Sequence, residues 1–150
     1  MSSGPVLLCF DGSAEAAEAI RGACLLLEQR DAIVLAVAIP ARDELPLDPG
    51  SDLVGRASGL YRDWDEIAIE LAERRASSGC EVASDVGFAA RPLTASGRPA
   101  ATILRVADEQ DVAVIVLGAR RHGALGGLLG SVSARVVGHA LRPVLVIPAP

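Results

Sequence analysis

Four short, uninterrupted apolar runs separated by helical patterns constrain this chain more than any other feature. Pro5–Phe10 is such a run and stops at Asp11-Gly12-Ser13. Ala32–Ile39 ends at Pro40, Val112–Leu117 follows Asp111, and Pro143–Ile147 comes last. Strands covered on both faces lose the apolar/polar alternation of half-exposed ones, so these runs read as buried parallel strands. Cys80–Val86 alternates loosely and is expected to be a further strand, with Phe88–Ser96 a loop after it.

The intervening segments carry helical spacing. Ser13 is placed to cap a helix whose apolar stripe is Ala17, Ile20, Cys24 and Leu27, with Glu15 and Glu18 near its positive end. Leu60, Trp64, Ile67 and Leu71 predict a second helix that faces its stripe inward and ends near Ser78-Gly79. Gly97-Arg98-Pro99 opens a third, with Ala100, Ile103, Leu104 and Ala107 inward. Ser131–Leu141 is the fourth, with Val132, Val136, Val137 and Ala140 inward. The order is β-α-β-α-β-α-β-α-β. Right-handed crossovers then give one α/β domain over residues 1–150, a five-stranded parallel sheet with helices on both faces. Residues 40–59, rich in Pro, Gly and Asp, are expected to be a long loop, mobile or functional.

Composition removes several classes of function. All 14 basic residues are arginine. Without lysine there is no Walker A phosphate loop, no kinase strand lysine and no Schiff-base chemistry. The net charge of −5 argues against nucleic-acid and anionic-membrane partners. Cys9, Cys24 and Cys80 match no zinc spacing and read as small apolar residues in a reducing compartment. Met1–Gly4 carries no basic segment, the run after it is too short for a signal peptide, and no stretch is long enough to span a membrane. A cytoplasmic protein is expected. Aromatic residues make up only 3%, so aliphatic side chains must build the core.

Open α/β sheets bind ligands beyond the carboxyl ends of their strands. Two strand ends look prepared for this. One is Asp11-Gly12-Ser13. The other is the glycine-rich stretch Gly118–Gly130, which contains Arg120, Arg121, His122 and Gly123 and runs into Ser131-Val132-Ser133. Glycines allow close backbone approach, and the free N–H groups of the following helix favour an anion, so the stretch suits a phosphate. It is not a dinucleotide fingerprint, since no G-x-G-x-x-G is present. A plain connection capped by Ser131, and a plain turn at Asp11, account for the same residues without a ligand. His122 reads as an exposed loop residue and His139 as a helix-end cation. Asp63, Asp65 and Glu66 read as a solvated helix face, and Arg74-Arg75 as a helix C-terminus. No Ser-His-Asp order, acid/base pair or metal-ligand cluster emerges, so dedicated catalysis is not expected.

The Asp-Gly-Ser after the first strand, the Gly-rich stretch with Gly-Ser-Val-Ser after the fourth, and the blocks "AIVLAVAIP", "GRPAATILRVADEQDVAVIVLGAR" and "RPVLVIPAP" together resemble the universal stress protein family. The resemblance implies a flavodoxin-like, adenine-nucleotide-hydrolase-like α/β fold, usually dimeric, in which some members bind ATP and others bind no nucleotide. In the ATP-binding pattern G-x2-G-x9-G-[S/T], Gly118 matches the first glycine and Gly130-Ser131 the closing pair. The second glycine falls on Arg121, with Gly123 two residues on, and the span is one residue short. Arg121 would either obstruct a phosphate or bond it bidentately. The resemblance further implies that Asp11 lies near the adenosine with Phe10 beside it, and that Val37 contacts adenine. Leu117 and Gly118 would flank base and phosphates, and Val132 and Ser133 would follow the phosphate-binding Ser131. It thus implies ATP, with Mg²⁺, as a ligand, a homodimer through the last strand (143–147), and an unknown protein partner. The alternative that it leaves open is a dimeric interaction module without nucleotide.

Overall fold

A computed structural model describes residues 3–41, 53–119 and 129–150. Five parallel strands, β1 (Val6–Cys9), β2 (Asp31–Ala38), β3 (Ala89–Ser96), β4 (Val114–Ala119) and β5 (Val144–Pro148), form one sheet in the order β3-β2-β1-β4-β5. The described helices are α1 (Ala14–Leu26), α2 (Leu53–Asp85), α3 (Pro99–Glu109) and α4 (Ser131–His139). The α/β architecture expected from the alternation is present.

The sheet divides the core by residue parity. Val6 and Leu8 of β1 pack with α1 and the end of α2 on one face, and Leu7 packs with α3 and α4 on the other. All three are fully buried, which is why β1 reads as a continuous apolar run. At the far edge from the candidate site, Arg142 ties the α3–β4 turn to the start of β5. Its guanidinium donates to Asp111 (2.9 Å), Asp108 (3.3 Å) and the Val112 carbonyl (2.9 Å).

The third strand differs from expectation. Residues 80–85 are helical, and β3 is Ala89–Ser96, the stretch expected to be a loop. Three physical causes combine. First, α2 faces the sheet with a stripe of small residues, Ala72, Ala76, Gly79 and Ala83, all buried and at helical spacing. Gly79 is no terminator. A Cβ there would stand 2.6 Å from Val34 Cγ1 and 2.8 Å from the Phe10 ring, so the glycine lets the helix lie close on the sheet. Second, α2 ends at Asp85 and is closed by the turn at Gly87, whose positive φ of +107° suits a glycine just past a helix end. Third, β3 is an edge strand paired only with β2, so it tolerates Pro92 and exposed side chains and shows no apolar run.

The second helix also starts earlier and faces differently. It begins at Leu53, inside the expected 40–59 loop; residues 42–52 lie outside the described residues. Because the small stripe faces the sheet, Trp64, Ile67 and Leu71 turn to solvent at 53%, 54% and 44% exposure. Asp65 is no simple solvated acid: its Oδ1 accepts from the Ala41 N–H at 2.9 Å and anchors the chain after β2. In α4, Val136 is buried but Val137 is exposed. No helix among the described residues is long and apolar enough to cross a membrane.

Gly79 gives a sign test. In an exposed helix Gly→Ala stabilises by about 1 kcal/mol. Gly79→Ala is expected to destabilise instead, by about 1–3 kcal/mol, because the methyl group must displace Val34 or Phe10. The urea midpoint with an unchanged m-value measures it.

Candidate functional site

The chain leaves β1 toward β2 on one side and returns to β4 on the other, so the strand order reverses between β1 and β4. At their carboxyl ends lies a cavity of about 340 Å³. One wall is aliphatic, with Leu35, Val37 and Ile39 from β2 and its end, Ile103 from α3, and Leu117 from β4. The other is polar, with Asp11, Ser13 and Glu15 from the β1–α1 turn, Arg75 from α2, and Ser133 from α4.

The β1–α1 turn is built by its own side chains. Asp11 Oδ1 accepts from the Ser13 N–H at 2.9 Å, and Ser13 Oγ accepts from the Ala16 N–H at 3.1 Å. Ser13 is therefore the expected N-cap of α1. Asp11 makes the plain turn bond and still faces the cavity, so its structural and ligand-binding readings are compatible. Phe10 also borders the cavity, but its ring is packed beneath Gly79 in the core.

On the other side, Gly118 is required by close packing. A Cβ there would come within 2.9 Å of the Glu15 carbonyl oxygen, in backbone that cannot yield. Ser133 Oγ reaches the Gly118 carbonyl in a long 3.5 Å contact that joins α4 to the β4 tip. The N-cap of α4 is Gly130, not Ser131; Ser131 is the first helical residue. Among the described residues no side chain caps this helix, whereas the Ser13 side chain caps α1. The first-turn N–H groups of α4 thus keep their capacity for an external acceptor.

Of the residues singled out in the sequence, Phe10, Asp11, Val37, Leu117, Gly118, Val132 and Ser133 line one cavity. Gly130 and Ser131 start the adjoining helix without lining it. Arg121 and Gly123, with Arg120 and His122, lie outside the described residues. Sequence reasoning missed Arg75, which is not at a helix end but lies inside α2, well before its end at Asp85. The signal for it was the small-residue stripe, which continues through Arg75 and identifies the helix as unbroken. His139 sits in the last turn of α4, its Nδ1 2.9 Å from the Arg135 carbonyl. No group of His, Cys, Asp and Glu among the described residues could hold a metal ion.

Residues 3–148 match the model of the universal stress protein family. The chain belongs to that family. It is 31% identical to universal stress protein YxiE of Bacillus subtilis, over 95% of this chain and 97% of that one. It is 30% identical to universal stress protein MJ0577 of Methanocaldococcus jannaschii, over 77% and 75%. The solved MJ0577 structure superposes over 100% of this chain and 99% of its own, with TM-score 0.74 and 22% identity. Three further universal stress protein structures share the fold and were solved with ligands. One from Archaeoglobus fulgidus is in complex with dAMP (TM-score 0.63, 21% identity, 98% of this chain and 99% of that one). Another is in complex with cAMP (0.63, 20%, 98% and 98%), and one from Arabidopsis thaliana has AMP bound (0.62, 17%, 98% and 92%).

Cys9 also lines the cavity, where burial pushes its thiol up to about 12. It is therefore a neutral wall group and no nucleophile. In a Cys24→Ser, Cys80→Ser background, Ellman's reagent at pH 8 should modify native Cys9 on the order of 10³-fold more slowly than the unfolded chain, following the thiolate fraction.

Proposed function

We propose that this universal stress protein binds an adenine nucleotide in the cavity between the β1 and β4 tips, and that occupancy, not dedicated catalysis, is what it signals to a protein partner in the cytoplasm. One observation carries the reading: the strand-order reversal brings Asp11, the Gly118 backbone and the uncapped start of α4 around a single cavity with an aliphatic wall. Each part has a counterpart in the ligand. Val37 and Ile39 offer a dry slot for a base. The Asp11 carboxylate can accept from ribose hydroxyls. The open N–H groups of α4 suit a phosphate. The AMP, dAMP and cAMP complexes of other family members support the same ligand class. ATP is the larger form of that ligand, and Mg²⁺ would then travel on its phosphates.

A second reading, a dimeric interaction module that takes no nucleotide, is favoured by a specific observation: Gly118 is needed for packing against Glu15 whether or not a phosphate is present. The departure at Arg121 points the same way. Either reading includes a homodimer through β5. That strand lies at the sheet edge with Val144–Ile147 only partly buried, and Leu141 just before it is 90% exposed.

Calorimetric titration with AMP, and with ATP plus Mg²⁺, decides between the readings. Saturable binding that falls about tenfold in Asp11→Asn, which keeps an oxygen for the Ser13 turn, is the expected result. No heat up to millimolar nucleotide favours the interaction module. Light scattering at micromolar protein is expected to return twice the chain mass; the single-chain mass overturns the dimer.

A further inference from the structure

Two described arginines are partly buried, Arg75 and Arg142. Arg142 is fully engaged, with Asp108, Asp111 and the Val112 carbonyl around it. Arg75 is the opposite case. No hydrogen bond or ion pair joins its guanidinium to another described residue, yet the residue lines the cavity. Partly removing a guanidinium from water without giving it an acceptor is unfavourable, so this arrangement makes physical sense when something else supplies one.

The fold brings Arg75 there deliberately. Ala72, Ala76 and Gly79 pull α2 onto the sheet, and Arg75 shares that stretch of helix. Its stem lies along the β1–α1 turn: Nε, Cγ and Cδ are 3.3, 3.5 and 3.6 Å from where a Cβ on Gly12 would stand. Gly12 has φ +85°, so the position demands glycine for its backbone as well as for the space that it leaves to Arg75. The described cavity lining also holds two carboxylates, Asp11 and Glu15, and Arg75 is its one described cation. The aliphatic wall cannot satisfy a guanidinium, and a ribose is already served by Asp11. An anionic oxygen pair of a phosphate matches the planar donor fork.

We infer that Arg75 is a ligand-binding residue that reads the phosphate charge of the nucleotide, with Gly12 as the residue that makes room for it. The inference rests on the nucleotide reading of the cavity. It gives the site a preference for phosphorylated over neutral adenosine that does not depend on the Gly118–Gly130 stretch.

The test is titration of the full chain with AMP and with adenosine, for wild type, Arg75→Gln and Arg75→Lys, with circular dichroism melts to verify folding. In Arg75→Gln, AMP affinity should fall by about tenfold or more while adenosine affinity stays at the wild-type value. Arg75→Lys should recover part of the loss, since it keeps the charge without the fork. Wild-type AMP affinity should also weaken more steeply with added salt than that of Arg75→Gln. Equal loss for AMP and adenosine, or loss for neither, overturns the role of Arg75 while leaving the nucleotide site standing. If Arg75→Gln does not fold, Arg75→Lys decides alone: AMP affinity equal to wild type with the same salt slope overturns the role. Wild type that takes neither AMP nor adenosine overturns the nucleotide reading itself, and this inference with it.

Discussion

Right-handed crossovers send the chain leaving β1 and the chain leaving β4 to opposite faces of the sheet, and everything at the site follows from that. The two connections part at the strand tips, so a crevice opens where no side chain has to be removed to make it. The N-termini of α1 and α4 then border the same space from either face. A central strand buried on all sides holds the two tips in register, with Val6 opposite Ala32 on one neighbour and Val114 on the other.

The chemistry of the crevice reflects a chain short of aromatic residues. Among the described residues, a base entering it would meet branched aliphatic side chains, Val37, Ile39 and Ile103, since the Phe10 ring at its border is packed into the core beneath Gly79. Its recognition must therefore come from shape and from the polar groups opposite. Those groups are asymmetric. Among the described residues, acids gather at the β1–α1 turn, while positive potential comes from the open start of α4 and from one arginine that crosses over from α2.

Much of the fold was legible because burial on two faces leaves a mark on sequence. β1, β2, β4 and β5 stand out as apolar runs, and their boundaries shift by only a residue or two. β3 left no such mark, because an edge strand can expose Arg91 and accept Pro92. The long helix was cut short on paper by Gly79, a residue whose meaning depends on Val34 and Phe10 across the interface. Its apolar positions misled in turn, since Trp64, Ile67 and Leu71 form a regular stripe that faces away from the sheet while alanines do the packing. The site divides the same way. Asp11, Gly118 and Ser133 sit at strand and helix ends, where local chemistry announces them. Arg75 reaches the cavity only through the lie of a helix far from either loop in sequence; the small-residue stripe marks that helix as unbroken, but the cavity at its side leaves no local mark.

Gly118 has a bearing on how such sequences are read at all. The carbonyl of Glu15 leaves no room for a side chain beside the β4 tip, so the fold alone selects glycine there. A descendant that had abandoned its ligand would still keep this residue, and so would one that had never acquired it. The opening glycine of a phosphate-type signature is, in this architecture, a fossil of helix–strand contact before it is a mark of recognition, and the information about ligands resides in the positions that packing leaves free to vary.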